Sequence, residues 1–138
     1  SEMCIRDRIL GDHDRIHLIA PLDVFDFHNL ASRSYFIMSD SGGVQEEAPS
    51  LGKPVLVLRD TTERPEGVKA GTLKLVGTDP DKVKEAMTSL LTDEALYKEM
   101  SEAPNPYGDG KASERIVQAI KVYFNLEDSV SEFHEGGN

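Results

Sequence analysis

The chain has 138 residues, 38% of them hydrophobic, and a net charge of −10 at pH 7 from 25 acidic and 15 basic side chains. This length suits one domain or a large part of one, and the composition can form a packed core. The acidic balance argues against nucleic acid as a partner. The longest purely aliphatic run, Val55–Leu58, is too short to span a membrane. With Cys4 as its only thiol, the chain has no intrachain disulfide and no cysteine-rich metal site.

The first part of the chain predicts alternating elements. Residues 1–8 match no recognisable element, and they contain neither a signal region nor a Met at position 1. We therefore expect a cytoplasmic protein whose N-terminus is incomplete. Ile16–Ile19 predicts a strand, apolar residues at helical spacing predict a helix over Asp23–Ser34, and Tyr35–Met38 predicts the next strand.

The middle of the chain contains the clearest strand. Ser41–Gly43 predicts a loop that leads into a helix, which Pro49 kinks or breaks. Gly52 suits the left-handed residue that ends such a helix. The unbroken apolar run Pro54–Leu58 predicts a strand buried on both faces of a parallel sheet.

The remainder predicts a loop, a strand and then helices. The polar stretch Arg59–Gly71 is expected to be a loop, followed by a strand at Leu73–Val76. Helices are predicted from Asp79 onward and over Glu94–Glu102 and Ala112–Phe124. The alternation predicts an α/β fold with a Rossmann-like parallel sheet. Because only about four strands are predicted, we expect a truncated domain over residues 9–124, with a disordered acidic tail over residues 125–138.

The segment Asp40–Gly43 follows a predicted strand and precedes a predicted helix, the place where open α/β sheets bind ligands. The two glycines allow a phosphate to approach the backbone, and the start of the helix offers N–H groups. The hydroxyl of Ser41 adds a further donor. A helix cap with a flexible turn is the alternative interpretation.

Two neighbouring features suit a nucleotide. Glu47 lies one helical turn after Gly43, where its carboxylate can accept hydrogen bonds from a ribose diol, although Glu46 and Glu47 can also simply complement the helix dipole. Arg59–Glu66 follows the buried strand with two Arg and two Thr residues, which suit a phosphate site. A solvated loop with internal ion pairs is the alternative there. The four His residues lack metal-ligand spacing, and Ser41 lies in no nucleophile elbow.

Three motifs resemble the bacterial non-hydrolysing UDP-N-acetylglucosamine 2-epimerase family, in the family's order and at its spacing: Ser39–Val57, Arg59–Glu66 and Asn105–Gly110. The resemblance covers roughly Ile9–Phe124 and implies most of the C-terminal domain of a glycosyltransferase-B type fold, without the N-terminal domain. It implies interconversion of UDP-GlcNAc and UDP-ManNAc by elimination of UDP and its re-addition through 2-acetamidoglucal. No metal, nicotinamide or other cofactor is implied.

The resemblance also implies which residues contact UDP or substrate. Ser41, Gly42 and Gly43 would bind the diphosphate and Glu47 the ribose, while Phe27 would line the uracil pocket and Arg64 would point toward the diphosphate and sugar. Leu22 stands where some members carry Gln beside the uracil, so only a backbone contact is expected from it. No catalytic residue is expected in this chain, because the acid/base carboxylates and the phosphate-contacting His belong to other segments of the family. Full-length members are implied to be homodimers that serve cell-envelope polysaccharide biosynthesis.

Other functions remain open at this point. A UDP-sugar glycosyltransferase of the same fold also places a Gly-Gly loop and a helix Glu here, and a non-catalytic nucleotide-binding fragment is the non-enzyme alternative. A 2,3-diacetamido-sugar epimerase would carry a residue other than Arg64 after Thr-Thr-Glu. The runs Thr61–Glu66 and Asn105–Gly110 favour the UDP-N-acetylglucosamine 2-epimerase. On that interpretation the chain supplies the UDP-binding half and is inactive alone.

Overall fold

A computed structural model of the chain describes residues 7–126 and 128–131. The expectations for residues 1–6 and for most of the acidic tail lie outside the described residues. The chain divides into two compact units, residues 1–30 and 31–138, and the boundary falls within helix α1 (Val24–Arg33).

The first unit contains the start of α1 and the segment that precedes it. The predicted helix here is confirmed, and the carboxylate of Asp23 accepts a hydrogen bond of 2.9 Å from the backbone N–H of Asp26. The predicted strand at Ile16–Ile19 is wrong, because these residues pair with no neighbouring strand among the described residues. A strand persists through its hydrogen-bonded neighbour, and here Ile16 and Ile19 are exposed instead.

The second unit is built on a three-stranded parallel sheet in the order β1 (Ile37–Ser39), β2 (Val55–Val57) and β3 (Leu73–Leu75). Ile37 pairs with Val55, and Val55 pairs with Leu73. All three residues of the central strand β2 are fully buried, which confirms the expectation drawn from its unbroken apolar run.

Helices connect and cover these strands. Their bounds are α2 (Gly42–Glu47), continued by a 3-10 turn (Ala48–Leu51), then α3 (Pro65–Ala70), α4 (Pro80–Thr92), α5 (Glu94–Glu102) and α6 (Ala112–Tyr123). The break after α2 is the one predicted from Pro49, and Gly52 has the expected left-handed φ of 64°. Among the described residues, no helix is both long and apolar enough to cross a membrane.

Helix α3 lies inside the segment that was expected to be a loop, so the prediction for Arg59–Gly71 is wrong over its second half. Pro65 occupies the first helical position, where its missing N–H has no cost, and Gly71 ends the helix with a φ of 89°. The buried Gly67 packs this short helix against β3. Tertiary contact therefore stabilises a helix that carries too few apolar residues to show helical periodicity.

Alternating side chains of β2 divide the core between the two faces of the sheet. Leu56 packs with Leu90 of α4 and Met100 of α5, whereas Val55 and Val57 pack with Ala48 and residues of β3 on the other face. Both faces of β2 are thus covered, and because β1 and β2 are parallel, with Ser39 paired to Val57, both strands end at the same edge of the sheet.

The chain after α6 returns to that helix. The backbone N–H and hydroxyl of Ser131 both donate to the side-chain oxygen of Gln118, at 3.2 and 2.9 Å. The carbonyl of Ser131 accepts a bond of 3.1 Å from Arg115. This part of the predicted tail is therefore in contact with α6.

Leu56 provides a test of the core. Leu56→Ala should lower the free energy of unfolding by about 2–5 kcal/mol, because it opens a cavity between β2, α4 and α5. Leu91→Ala, at an α4 residue that is 61% exposed, is the matched control and should change it by less than about 1 kcal/mol. Urea denaturation of both variants measures the difference, and equal losses would contradict this description of the core.

Candidate functional site

Helix α2 begins earlier than its sequence suggests. Ser41 is the N-cap, with φ −76° and ψ 127°, and Gly42 and Gly43 are the first two helical residues. The prediction of a loop over Ser41–Gly43 is therefore wrong for Gly42 and Gly43, which are helical. Glycine is a poor helix former, but the helix is stabilised by Val44, which packs on the core, and by Gln45, which is fully buried.

This early start leaves donors at the carboxyl end of β1. The N–H groups in the first turn of a helix have no partner within the helix, and here two of them belong to glycines. The Ser41 hydroxyl makes no capping hydrogen bond, while the Ser41 backbone N–H donates to Ser39 Oγ at 3.0 Å. The residues expected to bind a diphosphate thus form one continuous donor segment.

The segment after β2 packs against this helix start. A β-carbon on Gly42 would lie 2.7 Å from Glu63 Oε1 and 3.9 Å from Arg64 Nη2. At Gly43, the nearest atom to such a carbon would be Ser41 Oγ, at 3.8 Å. Gly42 therefore permits the close approach of the segment, whereas the space beside Gly43 stays open.

Arg64 makes one ion pair with α2 and two hydrogen bonds within its own segment. Its Nε donates to Glu46 Oε1 in an ion pair, and its Nη1 donates to the carbonyl of Glu63 at 3.3 Å. Its backbone N–H donates to Thr62 Oγ1 at 3.0 Å. The structure thus brings Arg64 and Gly42 together, as expected, through a Glu46 contact that the sequence interpretation did not assign.

The charges around Arg64 alternate. Arg59 Nη1 pairs with Glu63 Oε2 at 2.8 Å, which is an internal ion pair of the kind considered for this segment. The pKa of the Glu63 carboxyl is lowered by a hydrogen bond from its own backbone N–H and by the charges of Arg59 and Arg64. Glu63 is therefore ionised at neutral pH, and its charge is balanced where it approaches Gly42.

Two further residues of the motifs, Thr62 and Tyr107, make hydrogen bonds around Arg64. Thr62 Oγ1 donates to Gln45 Oε1 at 2.6 Å, and among the described residues Gln45 Nε2 has no hydrogen-bond partner. Tyr107 Oη accepts from the backbone N–H of Gly67 at 3.1 Å and donates to the carbonyl of Arg64 at 3.5 Å. Burial raises the pKa of the Tyr107 hydroxyl, so it stays protonated at neutral pH.

Gln45 and Tyr107 were not singled out from the sequence, whereas Thr62 was one of the two Thr residues considered for a phosphate site, not for a contact with Gln45. The turn-rich run Asn105–Gly110 marked the position of Tyr107, whose backbone N–H donates to Asn105 Oδ1 at 3.1 Å. Nothing in residue spacing pairs Gln45 with Thr62, which lies 17 residues further along.

The remaining predicted residues lie in different parts of the chain. Glu47 is the exposed last residue of α2, four positions after Gly43 and hence on the same helix face. Leu22 and Phe27 belong to the first unit: Leu22 is 37% exposed, and the half-buried ring of Phe27 lies 5.8 Å from that of His28.

A separate polar cavity of about 340 Å³ lies beside the ends of β2 and β3, and Arg59, Asp60, Gly77 and Lys82 are among its lining residues. None of the residues predicted to contact UDP lines it. Within residues 7–126 and 128–131, no group of three or more His, Cys, Asp or Glu side chains could hold a metal ion.

The fold and this site define a parallel α/β domain with a donor-rich helix start at the carboxyl end of its sheet, a place where such domains bind ligands. The sequence profile of the UDP-N-acetylglucosamine 2-epimerase family matches residues 2–121. The chain belongs to this family, as its three motifs indicated.

Similar proteins support the assignment. The chain is 67% identical over 114 residues to the UDP-N-acetylglucosamine 2-epimerase of Bacillus subtilis (strain 168), covering 83% of this chain and 30% of that protein. It is 56% identical over 115 residues to the Escherichia coli (strain K12) protein of the same name, covering 83% of this chain and 31% of that protein. The chain thus spans about a third of the length of the curated relatives it matches.

Solved structures of relatives share the fold. The S. aureus MnaA–UDP co-structure superposes with a TM-score of 0.87 at 62% identity, covering 96% of this chain and 36% of that one. The UDP-GlcNAc 2-epimerase from Neisseria meningitidis bound to UDP-GlcNAc gives a TM-score of 0.78 at 52% identity, covering 83% and 31%. The predicted fold class, a parallel α/β domain of the glycosyltransferase-B type, is confirmed.

Gly67 tests the contact between α3, β3 and Tyr107. A β-carbon at Gly67 would overlap Leu73 Cδ1 and Tyr107 Oη. Gly67→Ala should therefore lower the free energy of unfolding by about 1–3 kcal/mol, although alanine favours helix more than glycine does. Gly43→Ala, where the added carbon has room, is the control and should be neutral or stabilising by up to about 1 kcal/mol. Equal stability of the two variants in thermal denaturation would contradict the packing described.

Proposed function

We propose that this chain is the UDP-binding part of a non-hydrolysing UDP-N-acetylglucosamine 2-epimerase that interconverts UDP-GlcNAc and UDP-ManNAc. The observation that carries the proposal is the placement of Arg64 beside Gly42, at the start of the helix that follows β1, in a chain that belongs to this family. The relatives solved with UDP and with UDP-GlcNAc support the choice of ligand.

In this proposal the ligand's diphosphate lies at the start of α2. The hydroxyl of Ser41 and the backbone N–H groups of Gly42 and Gly43 donate to its oxygens, and Arg64 adds a positive charge. Backbone donors suit this task in an acidic protein because they bring positive potential to one point without added side-chain charge.

The nucleoside is assigned to the other predicted residues. Glu47 accepts hydrogen bonds from the ribose hydroxyls, one helical turn beyond Gly43. Phe27 lines the uracil pocket, and Leu22 contributes a backbone contact there. This assignment rests on the family resemblance.

The reaction needs charge stabilisation more than proton transfer from this chain. A base removes the proton at C2 and the C1–O bond breaks, so that UDP leaves with the bonding electrons and 2-acetamidoglucal forms. Re-addition of UDP at C1 and of a proton to the opposite face of C2 completes the epimerisation. Fixed N–H donors and Arg64 stabilise the charge that develops on UDP, while the carboxylates that move the proton come from the rest of the full-length protein.

The same proposal extends to the setting of the full-length protein. It works in the cytoplasm as a homodimer and supplies UDP-ManNAc to cell-envelope polysaccharide biosynthesis. These assignments rest on the family resemblance.

The isolated chain should bind UDP weakly and catalyse nothing. Losing the rest of the cleft removes several hydrogen bonds to charged groups at about 1.5–3 kcal/mol each, so Kd should be on the order of 1 mM. Calorimetric titration with UDP measures the affinity, and a coupled assay with UDP-GlcNAc measures turnover. Micromolar binding, or turnover above background, would contradict the proposed division of the site.

Glu47 and Arg64 should differ in their kinetic effects in a full-length enzyme carrying this C-terminal sequence. Glu47→Gln weakens an acceptor to the ribose, whose bonds do not change in the reaction, so it should mainly raise KM. Arg64→Ala should lower kcat by roughly 10²–10³-fold, as loss of an oxyanion donor does. Arg64→Lys should recover little, since it lacks the planar fork.

Steady-state kinetics and a thermal melt of the same variants separate this role from a structural one. If Arg64 serves only to fasten its segment to Glu46, Arg64→Ala should melt earlier and keep a near-normal kcat. That outcome would remove Arg64 from the proposed site.

A further inference from the structure

The main chain of Arg64 is held on both sides by hydroxyl groups, one from Thr62, two residues earlier, and one from the distant Tyr107. Thr62 Oγ1 accepts from its N–H at 3.0 Å, and Tyr107 Oη donates to its carbonyl at 3.5 Å. Neither hydroxyl belongs to the residues already assigned to the ligand. The backbone N–H and carbonyl of Arg64 thus have hydrogen-bond partners of their own, in addition to the partners of its guanidinium group.

Thr62 connects Arg64 to the interior of the domain. Its hydroxyl donates to Gln45 Oε1 at 2.6 Å while it accepts from Arg64. Gln45 is fully buried in α2, and a buried side chain has little freedom to move. The Thr62 hydroxyl therefore links the backbone of Arg64 to a buried side chain of α2, which limits how far that backbone can move relative to the helix.

Tyr107 connects Arg64 to α3. Its hydroxyl accepts from the N–H of Gly67 at 3.1 Å, a first-turn N–H that has no partner within the helix. Because the same oxygen reaches the carbonyl of Arg64, Tyr107 fixes the N-cap residue and the first turn of α3 together. Both hydrogen bonds of this hydroxyl are partly buried.

The guanidinium is then oriented from a fixed backbone. Glu46 accepts a hydrogen bond from Nε of Arg64, and the carbonyl of Glu63 accepts one from Nη1. Nη2 lies 3.9 Å from the position that a β-carbon on Gly42 would occupy. A shift of the backbone would move Nη2 away from the helix start even if the Glu46 pair survived. Electrostatic stabilisation of this kind depends on donors that are already in place.

The geometry points to Thr62 and Tyr107 as positioning residues that hold Arg64 toward the diphosphate at the start of α2; this role rests on the proposed UDP binding. Neither residue touches the ligand in this assignment. Both act through Arg64, so their removal should weaken UDP recognition only while Arg64 is present.

The test uses the ¹⁵N-labelled chain and two readouts. The first is the hydrogen exchange of the Arg64 Nε–H signal, which needs no ligand, and the second is UDP affinity from an NMR titration. Thr62→Val and Tyr107→Phe should each speed the exchange and weaken UDP binding, by about tenfold for a lost hydrogen bond of ordinary strength. Thr62→Ser keeps the hydroxyl and should retain both properties.

Matched controls remove hydroxyls that bond to backbone carbonyls elsewhere. Thr88→Val loses a bond of 2.8 Å to Lys84 within α4, and Tyr97→Phe loses a bond of 3.0 Å from α5 to Tyr35. Both controls should keep the exchange of the Arg64 signal and the UDP affinity of the parent chain. A spectrum with native dispersion verifies that each variant is folded, and Tyr107→Phe keeps the test open if Thr62→Val unfolds.

A double-mutant cycle separates positioning from general stability. Combined with Arg64→Ala, Thr62→Val should cause no further loss of UDP affinity, whereas a residue that acts independently would add its own loss. Additive losses, or unchanged Arg64 exchange in both Thr62→Val and Tyr107→Phe, would overturn the inference. Failure of the parent chain to bind UDP would instead overturn the proposed function, and the exchange readout would still decide whether Thr62 and Tyr107 hold Arg64.

Discussion

The hydrogen bond between Thr62 and the buried Gln45 ties the segment after β2 to the helix after β1. A buried amide oxygen that lost this partner would carry a desolvation penalty of about 1–3 kcal/mol, so the two elements are constrained to stay together. The position of Arg64, its ion pair with Glu46 and its approach to Gly42 all follow from that constraint. The fully buried strand β2 provides the rigid base from which the segment departs.

A protein of net charge −10 can still present a local site for an anion. Arg59 and Arg64 alternate with Glu63 and Glu46, and each cation has a carboxylate partner. These pairs are half-exposed, and pairs of this kind add little to stability. Their contribution here is to orient a guanidinium beside backbone N–H groups, where an approaching diphosphate would meet several donors at once. Local arrangement rather than total charge therefore decides which ligand fits.

The sequence predicted those features that depend on neighbouring residues. The unbroken apolar run identified β2, Pro49 identified the break after α2, and the motif around Arg64 identified the segment that meets the helix start. The predictions that were wrong concern features that depend on contacts between distant parts of the chain. The expected strand at Ile16–Ile19 pairs with no neighbour among the described residues, and α3 depends on packing between Gly67 and β3.

The candidate site likewise has residues that sequence motifs predicted and residues that only tertiary contacts reveal. Ser41, Gly42, Gly43 and Arg64 were expected from motifs, and the structure places Arg64 beside Gly42. Glu46 was interpreted only as a complement to the helix dipole, because its contact with Arg64 spans 18 residues. Long-range pairs of this kind leave no periodic signal in a single sequence. For the same reason the roles of Gln45 and Tyr107 emerge only from the folded chain.

The most direct measurement of the central claim is an NMR titration that compares UDP with uridine on the assigned, ¹⁵N-labelled chain. UDP should shift the backbone amides of Gly42 and Gly43 and the Nε–H of Arg64 along one binding curve, and uridine, which lacks the diphosphate, should leave these signals nearly unmoved. Shifts confined to Gly77 and Lys82 at the separate cavity, with Gly42, Gly43 and Arg64 unchanged at saturating UDP, would contradict the account.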